Sequence, residues 1–135
     1  MADNLSNYLE NKLLEHSTGK AAWTSPTHTY LGLFTVAPTD STFGTEVSGG
    51  NYARVQLSWG SASEGSISIN ANARFPASGT ASVSYGTVVA MGILDSSSAT
   101  GTEHLLWYSD LSPSFTINSG ETFTVISGGI TLSLF

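Results

Sequence analysis

The sequence predicts a mostly β protein: a single-domain antiparallel β-sandwich, jelly-roll-like, with one N-terminal α-helix. The first observation is that several short runs after Thr24 alternate apolar and polar residues, as strands with one buried face do. The second is that glycine, proline and serine clusters separate these runs at short intervals. The third is that 135 residues, 40% of them hydrophobic, suffice for one core and not for two ordinary domains. We therefore expect a helix over residues 1–19, packed on the domain or on a partner, and a sandwich domain over residues 20–135.

The N-terminal segment has the spacing of an amphipathic helix. Its apolar side recurs every three or four residues and comprises Leu5, Tyr8, Leu9, Leu13 and His16. Asp3 or Asn4 can cap the first amides, and Gly19 is suited to end the helix. A helix this short is marginal by itself, so its apolar stripe must dock on the sheet or on another subunit.

The remaining chain predicts a series of short strands. Their expected positions are residues 30–36, 52–59, 66–69, 73–75, 104–108, 115–117, 122–126 and 130–135, with one further strand inside 82–94. Gly86 and Gly92 interrupt that last strand as bulge or packing positions. The tetrapeptide at 118–121 predicts a hairpin between the strands on either side of it.

Charge and composition exclude several classes of protein. The formal net charge is −6, and the four cations Lys12, Lys20, Arg54 and Arg74 are scattered, which argues against binding to nucleic acid or to an anionic membrane. There is no cysteine, so disulfides and thiolate metal sites are excluded. No signal peptide or membrane-spanning segment is recognisable, and we expect a protein that is made in the cytoplasm and stays soluble.

Catalytic and cofactor motifs are not found in the sequence. His16, His28 and His104 lie too far apart for a local metal motif, and no nucleophile elbow, phosphate loop or dinucleotide fingerprint occurs. Three carboxylates around one serine-rich loop, those of Asp95, Glu103 and Asp110, could in principle serve a glycosidase, but solvated loop residues explain them better. We expect no enzyme, no cofactor and no metal.

Aromatic residues leave one alternative open. Three tryptophans and a tyrosine could form a platform on which sugars stack: Trp23, Trp59, Trp107 and Tyr108. In a small β domain such residues more often fill the core or a subunit interface, and we favour that interpretation.

A glycine-rich turn precedes the most informative strand. Gly49 and Gly50 supply the positive φ angles of a tight turn in Gly49-Gly50-Asn51-Tyr52-Ala53-Arg54. Period-two alternation then places Arg54 on the face opposite Val55. Arg54 is either a surface residue whose stem covers apolar neighbours or the partner of an acidic residue in its own or a neighbouring subunit. An exposed ion pair is weak, so the surface interpretation is favoured unless the site is buried.

Several segments together resemble a family of small virion proteins of tailed bacteriophages, often labelled tail-fibre or structural proteins. They are the helix at 5–14, Thr29-Tyr30-Leu31-Gly32-Leu33-Phe34-Thr35 with the turn at 38–40, Gly44-Thr45-Glu46-Val47, the glycine-rich turn, Gly92-Ile93-Leu94-Asp95, Leu105-Leu106-Trp107-Tyr108 and the segment at 118–123. This resemblance covers nearly the whole chain, brings no catalytic motif with it, and implies a component of the virion, assembled in the host cytoplasm.

Within that class we expect a capsid decoration, or cement, protein that binds the head in many copies. The alternative is a tail, baseplate or fibre-associated protein that could contact host glycans. The expected partners are the major capsid protein or tail proteins of the same virion, together with further copies of the chain; a trimer is one plausible unit. Our candidate interface residues are Leu5, Tyr8, Leu9 and Leu13 of the helix, and Arg54.

Overall fold

A computed structural model describes residues 4–134 of the chain, and that part contains one helix and nine strands. They are α1 (Asn7–Ser17), β1 (Tyr30–Val36), β2 (Thr45–Glu46), β3 (Val55–Gln56), β4 (Ser66–Ser68), β5 (Ala73–Phe75), β6 (Gly86–Leu94), β7 (Leu105–Ile117), β8 (Phe123–Val125) and β9 (Thr131–Ser133). The prediction of a mostly β, antiparallel fold with one N-terminal helix is confirmed.

The main sheet has the order β2-β1-β6-β7, and β3 pairs with the same strand β1 further along. All of its pairings are antiparallel. Two smaller ladders, β4 with β9 and β5 with β8, complete the β structure of the described residues. Strand β1 is central because its run of apolar residues has no polar face, and four consecutive residues from Leu31 to Phe34 are buried.

The principal core lies between the main sheet and the two ladders. Leu31, Leu33 and Val88 from the main sheet pack in one cluster with Phe75 and Leu132 from the ladders. A second cluster around Phe34, Ala90, Leu94 and Leu105 lies on the opposite face of the main sheet, because successive strand residues point to opposite faces. The main sheet is therefore covered on both sides.

Helix α1 begins later than its predicted caps. Ser6 is the N-cap, and its hydroxyl accepts a hydrogen bond from the Leu9 amide at 3.2 Å and donates one to the Leu105 carbonyl. Asn4 lies two residues before that cap, and its backbone carbonyl accepts a bond from the Tyr108 amide; Asp3 lies outside the described residues. Gly19 follows the helix with φ +75°, as a helix-ending glycine should.

Two predicted strand ranges and one predicted hairpin are wrong. Only Val55–Gln56 of the segment 52–59 forms a strand, whereas Trp59 makes an isolated bridge with Ile69. Tyr52 and Arg54 lie on one face, as the alternation predicted, and both bond to Glu46. Strand β7 is a single strand with an irregularity, where Ala90 pairs with Asp110 and Val88 with Phe115, although we predicted two strands. The turn at 118–121 forms, but it leads from the main sheet to the β5–β8 ladder and does not close a hairpin.

Candidate functional site: the Arg54 cluster and the apolar face

Four polar side chains with mutual hydrogen bonds or ion pairs form what we call the Arg54 cluster: Arg54, Glu46, Tyr52 and Glu103. Strands β2 and β3 pair with the same strand β1, through Phe34–Glu46 and Leu31–Val55. Glu46 ends β2 and Arg54 immediately precedes β3, so the pairing brings two oppositely charged residues together beside β1. The glycine-rich turn, with Gly49 and Gly50 at positive φ, reverses the chain between them.

Arg54 makes a bidentate ion pair with Glu46. Its Nε lies 3.1 and 3.0 Å from the two carboxylate oxygens, and its Nη2 lies 2.7 Å from Oε1. Nη1 donates to the Ser96 carbonyl at 3.0 Å, and Nη2 also lies 3.5 Å from Glu103 Oε1. The Arg54 side chain is only 3% exposed, which places this pair among buried charges rather than surface ones.

Tyr52 ties the same carboxylate to β1. Its hydroxyl donates to Glu46 Oε2 at 2.6 Å and accepts from the Leu33 amide at 3.0 Å. Burial, followed by the negative charge and the hydrogen bond of Glu46, raises the pKa of Tyr52 far above its usual range. Tyr52 is therefore a neutral hydrogen-bond donor that is fixed within the cluster.

Glu103 extends the cluster into the serine-rich loop. Burial alone would raise the pKa of Glu103, but hydrogen bonds from backbone amides, including those of Gly101 and Thr100, and the charge of Arg54 together hold that pKa below its usual range. The Gly101 and Thr100 amides donate to Oε2 at 2.7 and 3.0 Å. Arg54 thus joins two loops that are far apart in sequence.

Asn51 fixes the glycine-rich turn from its other end. Its side-chain amide donates to the Thr80 carbonyl at 2.8 Å, and its Oδ1 accepts from the Ser82 amide at 3.0 Å and the Tyr85 hydroxyl at 2.7 Å. The turn is therefore attached both to the main sheet and to the segment that precedes β6.

The structure gives Arg54 a partner in its own chain. Sequence reasoning left that possibility open and favoured a surface residue, on the condition that the site was exposed. The condition is not met, because the side chain is buried. Sequence reasoning quoted Glu46 and Asn51 within motifs but gave neither a bonding role. The signal available for Glu46 was the scarcity of cations, since Arg54 is one of only four in a chain of net charge −6 and is therefore expected to have an acidic partner.

The helix residues proposed as interface positions occupy two different environments. Leu5 and Leu9 are buried against Leu106 of β7 in a cluster of this chain. The Tyr8 ring stacks on His104 at 3.8 Å between centroids. Leu13 is half-buried and borders the surface that we describe next.

An apolar face lies between the helix and the β4–β9 ladder. We define it by the side chains that line its three adjoining grooves and reach the surface: Leu13, Leu14, Trp23, Trp59, Ile67, Trp107 and Leu134. Leu14 and Leu134 are 63% and 58% exposed and line the same groove. Monomeric proteins seldom expose contiguous apolar surface without a use for it.

The three tryptophans meet at this face, in one groove of about 300 Å³. Trp59 Nε1 donates to Thr29 Oγ1 at 2.8 Å, and the Trp23 amide donates to His16 Nδ1 at 3.1 Å. Tyr108 is not part of the platform, since its ring packs with Phe34 on the other side of the main sheet.

The remaining titratable residues are dispersed. His16 accepts from Trp23, His28 lies beside Gln56, and His104 pairs with Asp95 at 2.9 Å. Among residues 4–134, no three His, Asp or Glu side chains are grouped so that they could hold a metal ion. Within the same residues, no helix is long and apolar enough to span a membrane.

Fold and site together define a small antiparallel β protein whose charged side chains cross-link its own loops and whose apolar side chains gather on one face. Residues 4–133 match the family described as Podophage GP4 fiber I protein gp80, and the chain belongs to that family. It is therefore a structural protein of the bacteriophage virion, as the resemblance in its sequence implied. No curated protein matches the chain significantly.

Proposed function

We propose that this chain is a subunit of a tail fibre, or of the fibre attachment region, of a short-tailed phage. The observation that carries the proposal is the family match, which spans nearly the whole chain and whose description names a fibre protein. That description favours our alternative over capsid decoration, the function that size and compactness had suggested first.

The structure supports a role in which the domain transmits and resists force. A fibre subunit must hold its shape while its ends are attached to different bodies. The Arg54 cluster joins β2 to the segment before β3 and to the serine-rich loop through a bidentate buried pair. Asn51 bonds the glycine-rich turn to the Ser82 amide, and Ser6 bonds the start of α1 to the Leu105 carbonyl of β7. Such satisfied polar networks rigidify a small domain.

We infer that the protein acts by contact rather than by catalysis. Of the three carboxylates considered for glycosidase chemistry, Glu103 is bonded to amides and to Arg54, and Asp95 to His104. A general acid or nucleophile must instead be free to reach a substrate. The proposal therefore assigns Glu103 and Asp95 to folding, which leaves exposed Asp110 without the second carboxylate that a glycosidase requires.

The apolar face fits a protein partner better than a saccharide. Its groove contains three tryptophans, but the hydroxyl-bearing side chains along it are those of Ser25 and Thr29, and Thr29 is already bonded to Trp59. Sugar sites combine aromatic rings with several convergent polar groups. The expected partners are accordingly tail proteins of the same virion.

Counting copies in purified virions tests the proposed location. Quantitative mass spectrometry against the major capsid protein should give a ratio far below one, because a fibre set follows the symmetry of the tail whereas decoration follows that of the shell. Labelled antibody against the chain should mark the tail in electron micrographs. A ratio near that of the capsid protein, with label over the head, would restore the decoration hypothesis; absence from the particle would contradict both.

A further inference from the structure

We propose that a groove separate from the apolar face, which we call the polar groove, binds a neutral saccharide. It lies between the start of α1, the loop that follows β1 and the residues at the start of β7, and its volume is about 400 Å³. Sites for small ligands typically have volumes of about 300–1,000 Å³. The side chains that define the polar groove are Asn7, Tyr8, Asp40, Ser41, Phe43 and His104. The inference concerns what the isolated chain binds, so it goes beyond the proposed function and does not depend on it.

Hydrogen bonds between the three segments fix the shape of the polar groove. The Asn7 amide donates to the Asp40 carbonyl at 2.9 Å, which ties the start of α1 to the loop after β1. The Ser6 amide donates to the Leu106 carbonyl at 2.9 Å, which ties the same end of the helix to β7. A groove whose walls are already joined loses little further conformational freedom when a ligand enters, and binding is favoured to that extent.

Three side chains offer polar atoms that the fold does not use. Asn7, Asp40 and Ser41 are exposed, and within residues 4–134 their side chains make no hydrogen bond or ion pair. A side-chain amide donates and accepts, a carboxylate accepts, and a hydroxyl does either. Each hydroxyl group of a saccharide can likewise donate one hydrogen bond and accept others. The three side chains therefore suit a ligand that carries several neighbouring hydroxyl groups.

His104 adds an acceptor that is held in position. Its Nδ1 lies 2.9 Å from Asp95 Oδ2, and its backbone amide donates to Oδ1 at 2.7 Å. Because a carboxylate only accepts, Nδ1 carries the proton, and Nε2 of the neutral ring is left as an acceptor. The ring also stacks on Tyr8, with 3.8 Å between centroids and 6° between planes. His104 is thus fixed by two neighbours while its side chain remains 43% exposed.

Aromatic carbon lines the same groove. Phe43 is half-buried, and its ring meets the buried ring of Phe34 edge-on, with 5.6 Å between centroids. Tyr8 is half-buried as well. Aromatic rings accommodate the C–H groups of a sugar ring, and a few convergent polar groups then fix its orientation. The polar groove has this combination of groups, whereas the apolar face does not.

Charge favours a neutral saccharide over an acidic one. Asp40 is an exposed carboxylate in the groove of a chain whose net charge is −6. Glu103 also borders the groove, but its carboxylate is paired with Arg54. Lys12 lies 5.7 Å from the centre of the Tyr8 ring and does not line the groove. A sugar that carries a carboxylate or a phosphate would therefore meet repulsion from Asp40 without a cation in the groove to offset it.

Titration of the isotope-labelled full chain with single sugars, followed by NMR, tests this inference. The neutral probes are D-glucose, D-galactose, L-rhamnose and N-acetyl-D-glucosamine, and N-acetylneuraminic acid is the anionic comparison. We expect at least one neutral sugar to shift the amide signals of residues 7–8, 39–43 and 103–104 in a saturable way, with a Kd of about 0.1–10 mM, as a few hydrogen bonds in an open groove provide. The anionic sugar should bind at least about tenfold more weakly.

Matched substitutions assign the binding to the polar groove. Asp40→Asn keeps the shape of the side chain and removes its charge, and it should raise the Kd at least about fivefold. Asn7→Ala removes the amide and should raise the Kd at least about threefold. Asp110→Asn and Asn11→Ala are the controls, because both residues are exposed and neither lines the groove, and they should leave the Kd unchanged. Circular dichroism should show that all four variants fold, since each replaced side chain is exposed.

Several results would overturn the inference. One is the lack of saturable shifts with all four neutral sugars up to about 50 mM, well above the expected range. Shifts centred on the three tryptophans would place the site on the apolar face instead. Binding that is equal in Asp40→Asn and Asp110→Asn would remove the groove from the contact, and equal binding of the anionic sugar would contradict the choice of a neutral ligand. Since the chain is tested alone, its copy number in virions does not affect these results, and the two proposals fail separately.

Discussion

Replacing Arg54 tests whether the buried cluster stabilises the fold. In Arg54→Met the side chain keeps much of its length and loses its charge. Glu46 and Glu103 then remain with side chains only 12% and 7% exposed and without their cation. Removing one member of a buried pair costs about 3–5 kcal/mol, and the residual exposure of Glu46 argues for the lower end, about 3 kcal/mol. For a chain of this length, that corresponds to a fall in Tm of about 10 °C.

Two comparisons isolate the charge effect. Arg74→Met is the matched control, because Arg74 is a half-buried arginine on a short strand that bonds to carbonyls and not to a carboxylate. Its loss should be clearly smaller in chemical denaturation. Adding Glu46→Gln to Arg54→Met should then restore part of the loss, giving a coupling energy of about 1–3 kcal/mol.

The pH dependence provides an independent check. The pKa of Glu103 is lower in the folded chain than in the unfolded one, so its contribution is present above the unfolded pKa and is lost as the pH falls through the folded pKa. Wild-type stability should therefore decrease on acidification below about pH 4. The deficit of Arg54→Met should shrink on acidification, because the Glu103 carboxylate that has lost its cation becomes protonated. An Arg54→Met loss no larger than that of Arg74→Met, or strictly additive with Glu46→Gln, would refute this account of the cluster.

Two further substitutions test the helix cap and the close packing of the main sheet. Ser6→Ala removes the N-cap and the bond to β7, and should lower the free energy of unfolding by about 1–2 kcal/mol. Ser17→Ala, at the exposed end of the helix, is the control and should change that free energy by less than about 0.5 kcal/mol. Equal effects of the two substitutions would show that the cap is unimportant. Gly92→Ala would place a Cβ 2.7 Å from the Phe34 ring and should lower the free energy of unfolding by about 1–3 kcal/mol. Gly60→Ala is the control and should be tolerated, because its Cβ would have its nearest neighbour at 3.5 Å. Urea unfolding measures both variants, and an unchanged stability of Gly92→Ala would contradict the packing described.

Sequence patterns predicted the elements whose conformation depends mainly on neighbouring residues in the chain. Strand β1 agrees with its prediction, because an apolar run that ends shortly before Pro38 fits a buried strand and little else. Strand β7 does not, because we expected separate strands at 104–108 and 115–117, whereas one strand runs through residues 105–117 with an irregularity opposite Val88 and Ala90. The turn at 118–121 was recognised, but turn residues specify a reversal and not the strands that pair afterwards.

The Arg54 cluster was beyond prediction for a different reason. Glu46 lies eight residues from Arg54, and Glu103 lies forty-nine residues away. Alternation assigned Arg54 to the exposed face of a regular strand, whereas its position before the two-residue strand β3 lets it turn inward. Which carboxylate meets which cation depends on the pairing of β2 and β3 with the same strand, and no single segment contains that information.

The cluster and the helix are connected through two adjacent residues. Glu103 bonds to Arg54, and the next residue, His104, stacks on Tyr8 of α1 while its ring bonds to Asp95. Ser6 reaches the carbonyl of Leu105, the residue after that. The buried ion pair therefore orders the loop that positions the helix, and the helix carries Leu13 and Leu14 to the apolar face. A phage subunit built in this way can keep its contact surface in place although its core is small. Hydrogen bonds and ion pairs between its loops supply rigidity that a larger protein obtains from the packing of its core.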